Sequence, residues 1–231
     1  MGVLSYILGF SVIQDKEKNC VFLHQKHYIE AILQKYGMHD ASPDATPSDA
    51  NVKLKKNDGV SKPVNSSTYQ SMVGSLLYAA MATRPDIAQA VSVVSKFNAI
   101  SSAAYLTAVK RIIRFLKANL NLALKYEWSD SETLIGYSDA DWAGDQDNRR
   151  STTANVFLLG GGAVSWHSKK QSTVALSTAK AEYIALSQAA MGATLKRECS
   201  KKSKSYYWCN IGKGCDYCSP ANVVMYKNEL Y

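Results

Sequence analysis

The sequence predicts an α+β fold in two regions, and three observations support this prediction. Between residues 66 and 118, apolar side chains recur every three or four positions, which is the spacing of amphipathic helices. From about residue 121 apolar and polar side chains alternate as in strands, and the three glycines at 160–162 indicate a hairpin turn. Residues 177–196, rich in Ala and Leu, then return to a helical spacing. We therefore predict an α-rich region and an α+β region that join near residue 120.

The opening of the chain is predicted to form two strands and a short helix. Apolar residues alternate from Leu4 to Phe10, a polar turn covers residues 14–19, and the chain returns as a strand at residues 20–23. The helix that follows ends at Gly37 and has an apolar face that consists of Tyr28, Ile29, Ile32, Leu33 and Tyr36. Residues 40–66 contain three prolines and little to bury, so we interpret them as a linker.

Three helical stretches follow the linker. The second of them begins at residues 83–86, where Pro85 suits the first turn and Asp86 suits the positive end of the helix dipole. The third has a basic edge beside its apolar stripe, formed by Lys110, Arg111, Arg114 and Lys117. Such an edge either contacts the phosphates of a nucleic-acid duplex or is simply a solvated face, and the spacing leaves both alternatives open.

The second region is predicted to consist of short strands and one helix. The alternating segments are residues 122–126, 133–138, 152–159, 163–167 and 172–176. Ser177 is a plausible N-cap for the helix, which runs to about Lys196. From residue 198 neither period continues, and this segment contains four of the five cysteines.

Composition and charge narrow the class of protein. The net charge of +8 is typical of a protein that binds phosphates, although solvated lysines give the same balance. No apolar run approaches the ~20 residues that span a bilayer, and the first ten residues do not resemble a signal peptide. An odd number of cysteines without a secretory signal predicts reduced thiols in an intracellular setting, either cytoplasmic or nuclear.

Three carboxylates are candidates for a metal site. Asp139 and Asp141 come at the end of a predicted strand, two positions apart, so they share one face if the strand is regular. Glu182 lies in line with the small residues Ala185, Leu186, Ala189 and Ala193 of the following helix, where an unpaired carboxylate would be costly to bury. A divalent ion could balance the charge of such a group. Alternatively, the aspartates are turn residues and Glu182 complements the helix dipole.

The cysteines offer a second candidate metal site. Cys215 and Cys218 have the spacing of a zinc knuckle, with Cys199 and Cys209 as further thiolates. The spacing of this set is irregular and a second C-x-x-C pair does not occur, which favours free thiols over a zinc site.

Several motifs, in one order, carry a resemblance to a known family. The second region resembles the ribonuclease H domain of copia-type LTR retrotransposon polyproteins in the stretches Leu134-Ile-Gly-Tyr-Ser-Asp-Ala-Asp-Trp-Ala-Gly-Asp145, Arg149-Arg-Ser-Thr152, Phe157-Leu-Leu-Gly-Gly-Gly-Ala-Val-Ser-Trp166, Lys169-Lys-Gln-Ser-Thr-Val-Ala-Leu-Ser177 and Ala181-Glu-Tyr-Ile-Ala-Leu186. The first region is similar to the family's reverse transcriptase in Tyr69-Gln-Ser-Met-Val-Gly-Ser-Leu-Leu-Tyr78, Thr83-Arg-Pro-Asp-Ile87 and Ala108-Val-Lys-Arg-Ile-Ile-Arg-Phe-Leu-Lys117. Collinear motifs over residues 1 to about 197 are far more specific than one short pattern.

The resemblance implies a domain organisation. Residues 1–120 would be the last palm strands and the helical thumb or connection of a reverse transcriptase, residues 121–197 a truncated ribonuclease H-like mixed-sheet domain, and residues 198–231 a divergent tail of unknown structure. We interpret that tail and the other departures from the family pattern either as drift or as the product of a frameshift or altered splice site near residue 197. Partners implied for such a chain are an RNA/DNA hybrid, a template-primer duplex and a full-length reverse transcriptase in trans.

The resemblance also implies site residues. Family ribonuclease H domains hold two Mg²⁺ (or Mn²⁺) ions with four acidic residues and cut the RNA strand of a hybrid. Asp139 matches the first acidic position and Glu182 the second, and Asp216 is the candidate for the third, whereas the fourth belongs to a segment that this chain does not contain. The residues expected to contact nucleic acid are Lys110, Arg111, Arg114, Lys117, Arg149, Arg150, Lys169 and Lys170.

Departures from the family pattern limit the expected activity. The polymerase signature Tyr-x-Asp-Asp is absent. Lys180 stands where the family usually has Glu, and a lysine cannot close a capping box with Ser177. We therefore expect little or no polymerase activity and weak or absent nuclease activity. The alternative is a decayed or domesticated remnant that only binds nucleic acid.

Overall fold

A computed structural model describes residues 5–49, 51–52, 54–56, 64–100, 102–128, 133–203 and 223–227. The chain is mixed α+β and forms two compact units. The first unit contains residues 1–126 and 145–149, and the second contains residues 127–144 and 150–231. Among the described residues, no helix is both long and apolar enough to cross a membrane.

The first unit contains a sheet in the order β1-β2-β3-β4, in which β2 pairs antiparallel with β1 and with β3. Its strands are β1 Tyr6–Ile7, β2 Phe10–Asp15, β3 Cys20–His24 and β4 Leu124–Glu127. The prediction of one continuous strand from Leu4 to Phe10 is wrong. Leu8 and Gly9 have positive φ angles of 47° and 81° and turn the chain between β1 and β2, a backbone change that alternation of side chains does not reveal.

Four helices of the first unit enclose its core among the described residues: α1 Lys26–Lys35, α2 Ser66–Ala82, α3 Ala88–Ser95 and α4 Ala103–Ala118. The side chain of Asn65 caps α2 by accepting hydrogen bonds from the backbone N–H groups of Ser67 and Thr68. The predicted apolar faces are buried, as in Leu76, Val91 and Ile113. The helical interpretation of this region is thus confirmed.

Arg84 is the largest fully buried side chain described, with 1% of its surface exposed. Its Nε and Nη2 donate to the Asp86 carboxylate at 3.0 and 2.7 Å, and its Nη1 donates to the carbonyl oxygen of Asn119 at 3.0 Å. Asp86 was expected to interact with a helix dipole. Its carboxylate also neutralises a buried guanidinium, which joins the start of α3 to the end of α4.

The second unit contains a sheet in the order β7-β6-β5-β8, and the structure pairs β5 with β8 in parallel and the other neighbours antiparallel. Its strands are β5 Leu134–Asp141, β6 Thr152–Leu159, β7 Gly162–Lys170 and β8 Val223–Lys227. The predicted glycine turn is confirmed, with positive φ angles of 57° at Gly160 and 76° at Gly161.

Residues 172–176 do not form the strand that their alternation predicted. Val174 and Leu176 are 47% and 81% exposed, and only the small Ala175 is buried. The carbonyl oxygen of Ala175 accepts a hydrogen bond from the indole N–H of Trp142 at 3.1 Å instead of from a neighbouring strand. The segment is therefore a connection that leads from β7 into the next helix.

Helix α5, Thr178–Ser203, packs on β5 and β6 through a stripe of small buried residues. The stripe consists of Ala181, Ala185, Ala189 and Ala193. Leu186, which was predicted to belong to it, is 40% exposed. The helix also continues beyond Lys196, where it was predicted to end, because residues 193–203 contain neither Gly nor Pro.

Candidate functional site

Asp139 and Asp141 lie at the C-terminal end of β5 and share one face of the sheet. The pairing with β6 is regular through Asp139↔Ala154 and Asp141↔Thr152, so successive side chains alternate between faces. Both aspartates are exposed, whereas Ser138 is buried on the other face. Leu134, on that other face, packs with Phe157 and the alanines of α5. The aspartates therefore lie on the face opposite to the one that α5 covers.

Glu182 lies in the second turn of α5 and is half-buried beside Ala181. The N-cap prediction is confirmed, because Ser177 Oγ accepts a hydrogen bond from the backbone N–H of Lys180 at 3.2 Å. The position of this helix end is set by Gln171, whose Nε2 donates to Thr153 Oγ1 and to the carbonyl oxygen of Ala181, both at 3.0 Å.

Gln171 brings the start of α5 to the end of β5 that carries the aspartates. Thr153, which it contacts, pairs directly with Ala140, the residue between Asp139 and Asp141. Gln171 itself is 2% exposed, and its backbone N–H donates to the carbonyl oxygen of Ser151 at 2.8 Å. Sequence reasoning gave this residue no role, although it lies in the stretch Lys169–Ser177 that carries the resemblance.

The residues present fit a divalent ion only in part. Carboxylate oxygens are the ligands that Mg²⁺ prefers. Asp139 and Glu182 lie at one end of the sheet, but Asp139 is on the face opposite to the one that α5 covers. Among the described side chains, however, no group of three or more His, Cys, Asp or Glu could hold a metal ion. Asp216 lies outside the described residues, as do Cys209, Cys215 and Cys218. The third acidic ligand and the zinc alternative therefore remain predictions.

The strand beside β5 was not predicted. β8 runs parallel to β5, with Leu134 opposite Val223 and Ser138 opposite Lys227. Both strands thus run towards the end of the sheet where Asp139 lies. In the sequence, Lys227 is followed by Asn228, so no acidic residue comes directly after this strand.

The basic edge of α4 is engaged by the chain itself. Three of its four residues bond to the segment 41–49: Arg111, Arg114 and Lys117. Lys110 is exposed. The edge is thus neither a simple solvated face nor an open phosphate-binding surface.

The other predicted nucleic-acid contacts do not form one group. Lys169 and Lys170 are adjacent in β7, so their side chains lie on opposite faces of the sheet. Lys170 pairs with Thr152, which in turn pairs with Asp141, and these three residues share the face of the aspartates. Arg149 is exposed in the left-handed region, with φ of 56°, and Arg150 is half-buried.

Comparison with known proteins identifies some relatives that are much longer than this chain and others that the chain covers for most of their length. The Retrovirus-related Pol polyprotein from transposon TNT 1-94 of Nicotiana tabacum is 42% identical over 81% of this chain but only 14% of its own length. The Secreted RxLR effector protein 161 of Plasmopara viticola is 48% identical over 52% of this chain and 85% of its own. An uncharacterized mitochondrial protein of Arabidopsis thaliana is 35% identical over 80% of this chain and 75% of its own. No protein-family model and no solved structure matches the chain.

Proposed function

Because the chain belongs to the copia-type retrotransposon Pol polyproteins, we propose that it is their reverse transcriptase–ribonuclease H segment. The first unit would be the C-terminal part of the reverse transcriptase, with its last palm strands and its thumb or connection. The second unit would be a ribonuclease H-like domain. The substrate of this segment would be an RNA/DNA hybrid or a template-primer duplex.

The match of Asp139 and Glu182 to the first two acidic positions of the family is the observation that carries this proposal. Both carboxylates lie at the end of the sheet that Gln171 fastens to α5, and Asp139 is exposed to an incoming strand. In this proposal the two carboxylates hold Mg²⁺ or Mn²⁺ beyond the end of β5, because within the strand Asp139 lies on the face opposite to α5. Such an ion, when bound, activates water and stabilises the leaving oxygen of a phosphodiester. Lys170, on the same face as Asp141, would attract the phosphates of the strand to be cut.

The proposed activity is weak, for two reasons. The polymerase signature is absent from the sequence, so synthesis of DNA is not expected from this chain alone. For the nuclease, only Asp139 and Glu182 match the family's acidic positions among the described residues. Two carboxylates alone would hold an ion loosely, and metal-assisted hydrolysis depends on fixed geometry. A full-length reverse transcriptase acting in trans would be a partner that carries the polymerase aspartates.

Cleavage of an RNA/DNA hybrid with a labelled RNA strand tests the proposal. We expect slow cutting by the purified chain in Mg²⁺ or Mn²⁺, which Asp139→Asn abolishes and Asp40→Asn, a matched change at a fully exposed residue of the first unit, leaves intact. Cutting that survives in Asp139→Asn would contradict the assignment of the site.

A second candidate function is nucleic-acid binding without catalysis. It is favoured by the lack, among the described residues, of any group of three acidic, His or Cys side chains that could hold a metal ion. Such a remnant would bind the hybrid with an affinity that falls steeply with salt and does not respond to Mg²⁺. Absence of cutting by a demonstrably folded chain, together with salt-dependent binding, would select this candidate.

A further inference from the structure

Residues 41–49, which we call the strap, run antiparallel along the basic edge of α4. The two segments are antiparallel, because the residue number of the strap rises from one contact to the next while that of the helix falls. Lys117 Nζ donates to the carbonyl oxygen of Ala41 at 2.8 Å, and Arg114 Nε donates to Asp44 Oδ2 at 2.7 Å. Further along, Arg111 contacts the strap through hydrogen bonds to Thr46 and Asp49.

The strap is held mainly by side chains of α4. It contains no helix or strand. The backbone–backbone hydrogen bond between the two segments, from the N–H of Asp44 to the carbonyl oxygen of Arg114, is long at 3.5 Å. Both ion pairs are partly exposed, with side-chain exposures of 28% and 23% for Arg114 and Asp44 and of 27% and 36% for Arg111 and Asp49. Ion pairs in such positions contribute little to stability, so exchange of the strap carboxylates for another anion costs little.

The chemistry of these pairs resembles that of a phosphate-binding surface. The guanidinium group binds carboxylates and phosphates through the same planar, paired N–H donors. Asp44 and Asp49 therefore take the positions on Arg114 and Arg111 that backbone phosphates of a nucleic acid would take. The basic residues that the sequence singled out for nucleic-acid binding are thus present but occupied.

We propose that the strap is an internal competitor, and that α4 binds the phosphate backbone of a duplex through Arg111 and Arg114 only when Asp44 and Asp49 are displaced. The identity of that duplex as an RNA/DNA hybrid rests on the proposed function. The competition itself requires only a polyanion that presents phosphates. The strap thereby lowers the affinity of the first unit for a nucleic acid that presents few phosphates to α4.

The test is fluorescence anisotropy with two probes, a labelled RNA/DNA hybrid and labelled long-chain inorganic polyphosphate. The strap variant is Asp44→Asn with Asp49→Asn. A matched variant, Glu17→Gln with Glu30→Gln, removes the same number of negative charges from the first unit outside the strap. A third variant adds Arg111→Gln and Arg114→Gln to the strap variant. Thermal unfolding of each variant shows whether it is folded.

We expect the strap variant to bind both probes about five-fold more tightly than the matched variant, as the loss of two partly exposed ion pairs that together contribute about 1 kcal/mol predicts. The slope of log K against log salt should steepen by about 1.8 for two additional phosphate contacts. The two arginine substitutions should remove both effects. An equal gain in the matched variant, or a gain that survives the arginine substitutions, would overturn the proposal.

The two probes separate this inference from the proposed function. A strap effect on polyphosphate without binding of the hybrid by any variant would support the competitor and contradict hybrid binding. Binding of the hybrid that is equal in the strap and matched variants would leave the proposed function standing and overturn the competitor. Failure of every folded variant to bind either probe would overturn both.

Discussion

The side-chain amide of Gln171 donates a hydrogen bond to the carbonyl oxygen of Ala181 at 3.0 Å. A second bond from the same nitrogen reaches Thr153 Oγ1. Because Thr153 pairs with Ala140 and Glu182 follows Ala181, this one buried amide ties β6, the neighbour of the strand that carries the aspartates, to the helix that carries Glu182. Catalytic groups on rigid elements depend on such supporting contacts.

Replacement of Gln171 should therefore affect both stability and activity. Gln171→Met removes two buried hydrogen bonds at similar volume, and we expect a loss of about 1–3 kcal/mol in the free energy of unfolding. Urea denaturation measures this loss. Gln188→Met, a matched change at a half-buried position of α5, should cost less than about 0.5 kcal/mol. Equal losses in the two variants would show that Gln171 does not hold the site together.

Arg84 should be far more sensitive to substitution than the strap arginines. Arg84→Met removes a buried guanidinium and leaves the partly buried carboxylate of Asp86 without that partner, so we expect a loss of about 3 kcal/mol. Arg114→Met breaks a partly exposed pair and should cost about 1 kcal/mol or less. Chemical denaturation of both variants provides the comparison. A smaller loss for Arg84→Met than for Arg114→Met would contradict the structural role given to the motif at residues 83–86.

His24 predicts a pH dependence of stability. Burial lowers its pKa from 6.5, and the positive charges of His27 and Lys26 lower it further. The unfolded chain therefore binds a proton at a higher pH than the folded chain, so stability present above pH 6.5 is lost as the pH falls through the folded pKa. His24→Gln should make the unfolding midpoint less dependent on pH between about 7.5 and 5.5. His39→Gln, at an exposed histidine, serves as the control, and a pH profile unchanged by His24→Gln would contradict the prediction.

The parallel pairing of β8 with β5 predicts at which residue a third carboxylate would join Asp139 and Glu182 in the proposed metal site. Asn228 follows β8 directly in the sequence, whereas Asp216 precedes this strand. We expect Asn228→Asp to increase Mg²⁺-dependent cleavage of the hybrid by at least about ten-fold, because a third carboxylate would hold the ion in a more fixed geometry. Asp216→Asn should leave cleavage unchanged. The opposite pattern would assign the third ligand to Asp216.

The sequence predicted those helices whose apolar side chains recur at helical spacing and are buried. Leu76 and Ile113 recur at helical spacing and are fully buried, so periodicity alone located α2 and α4. The same reasoning failed at residues 172–176, where alternation was present but no strand lay alongside, and at Leu8, where the backbone turns through a positive φ. Periodicity reports which side chains could be buried, not which strand is available to pair.

Contacts between distant parts of the sequence were the least predictable. The basic edge of α4 was visible, but its partners Asp44 and Asp49 lie more than 60 residues away in a segment without periodicity. Likewise, Glu182 was recognised from its resemblance, whereas the bond from Gln171 that positions its helix was not. Hydrogen bonds and ion pairs of this kind depend on the assembled fold and leave no local pattern.

Thermal unfolding in the presence and absence of about 10 mM Mg²⁺ tests most directly whether Asp139 and Glu182 form a metal site. An ion that binds only the folded chain raises the midpoint of unfolding. We predict a higher midpoint with Mg²⁺ for the unmodified chain and no such increase for Asp139→Asn or Glu182→Gln. An unmodified chain whose midpoint does not respond to Mg²⁺, or an Asp139→Asn variant that responds equally, would contradict the proposed site.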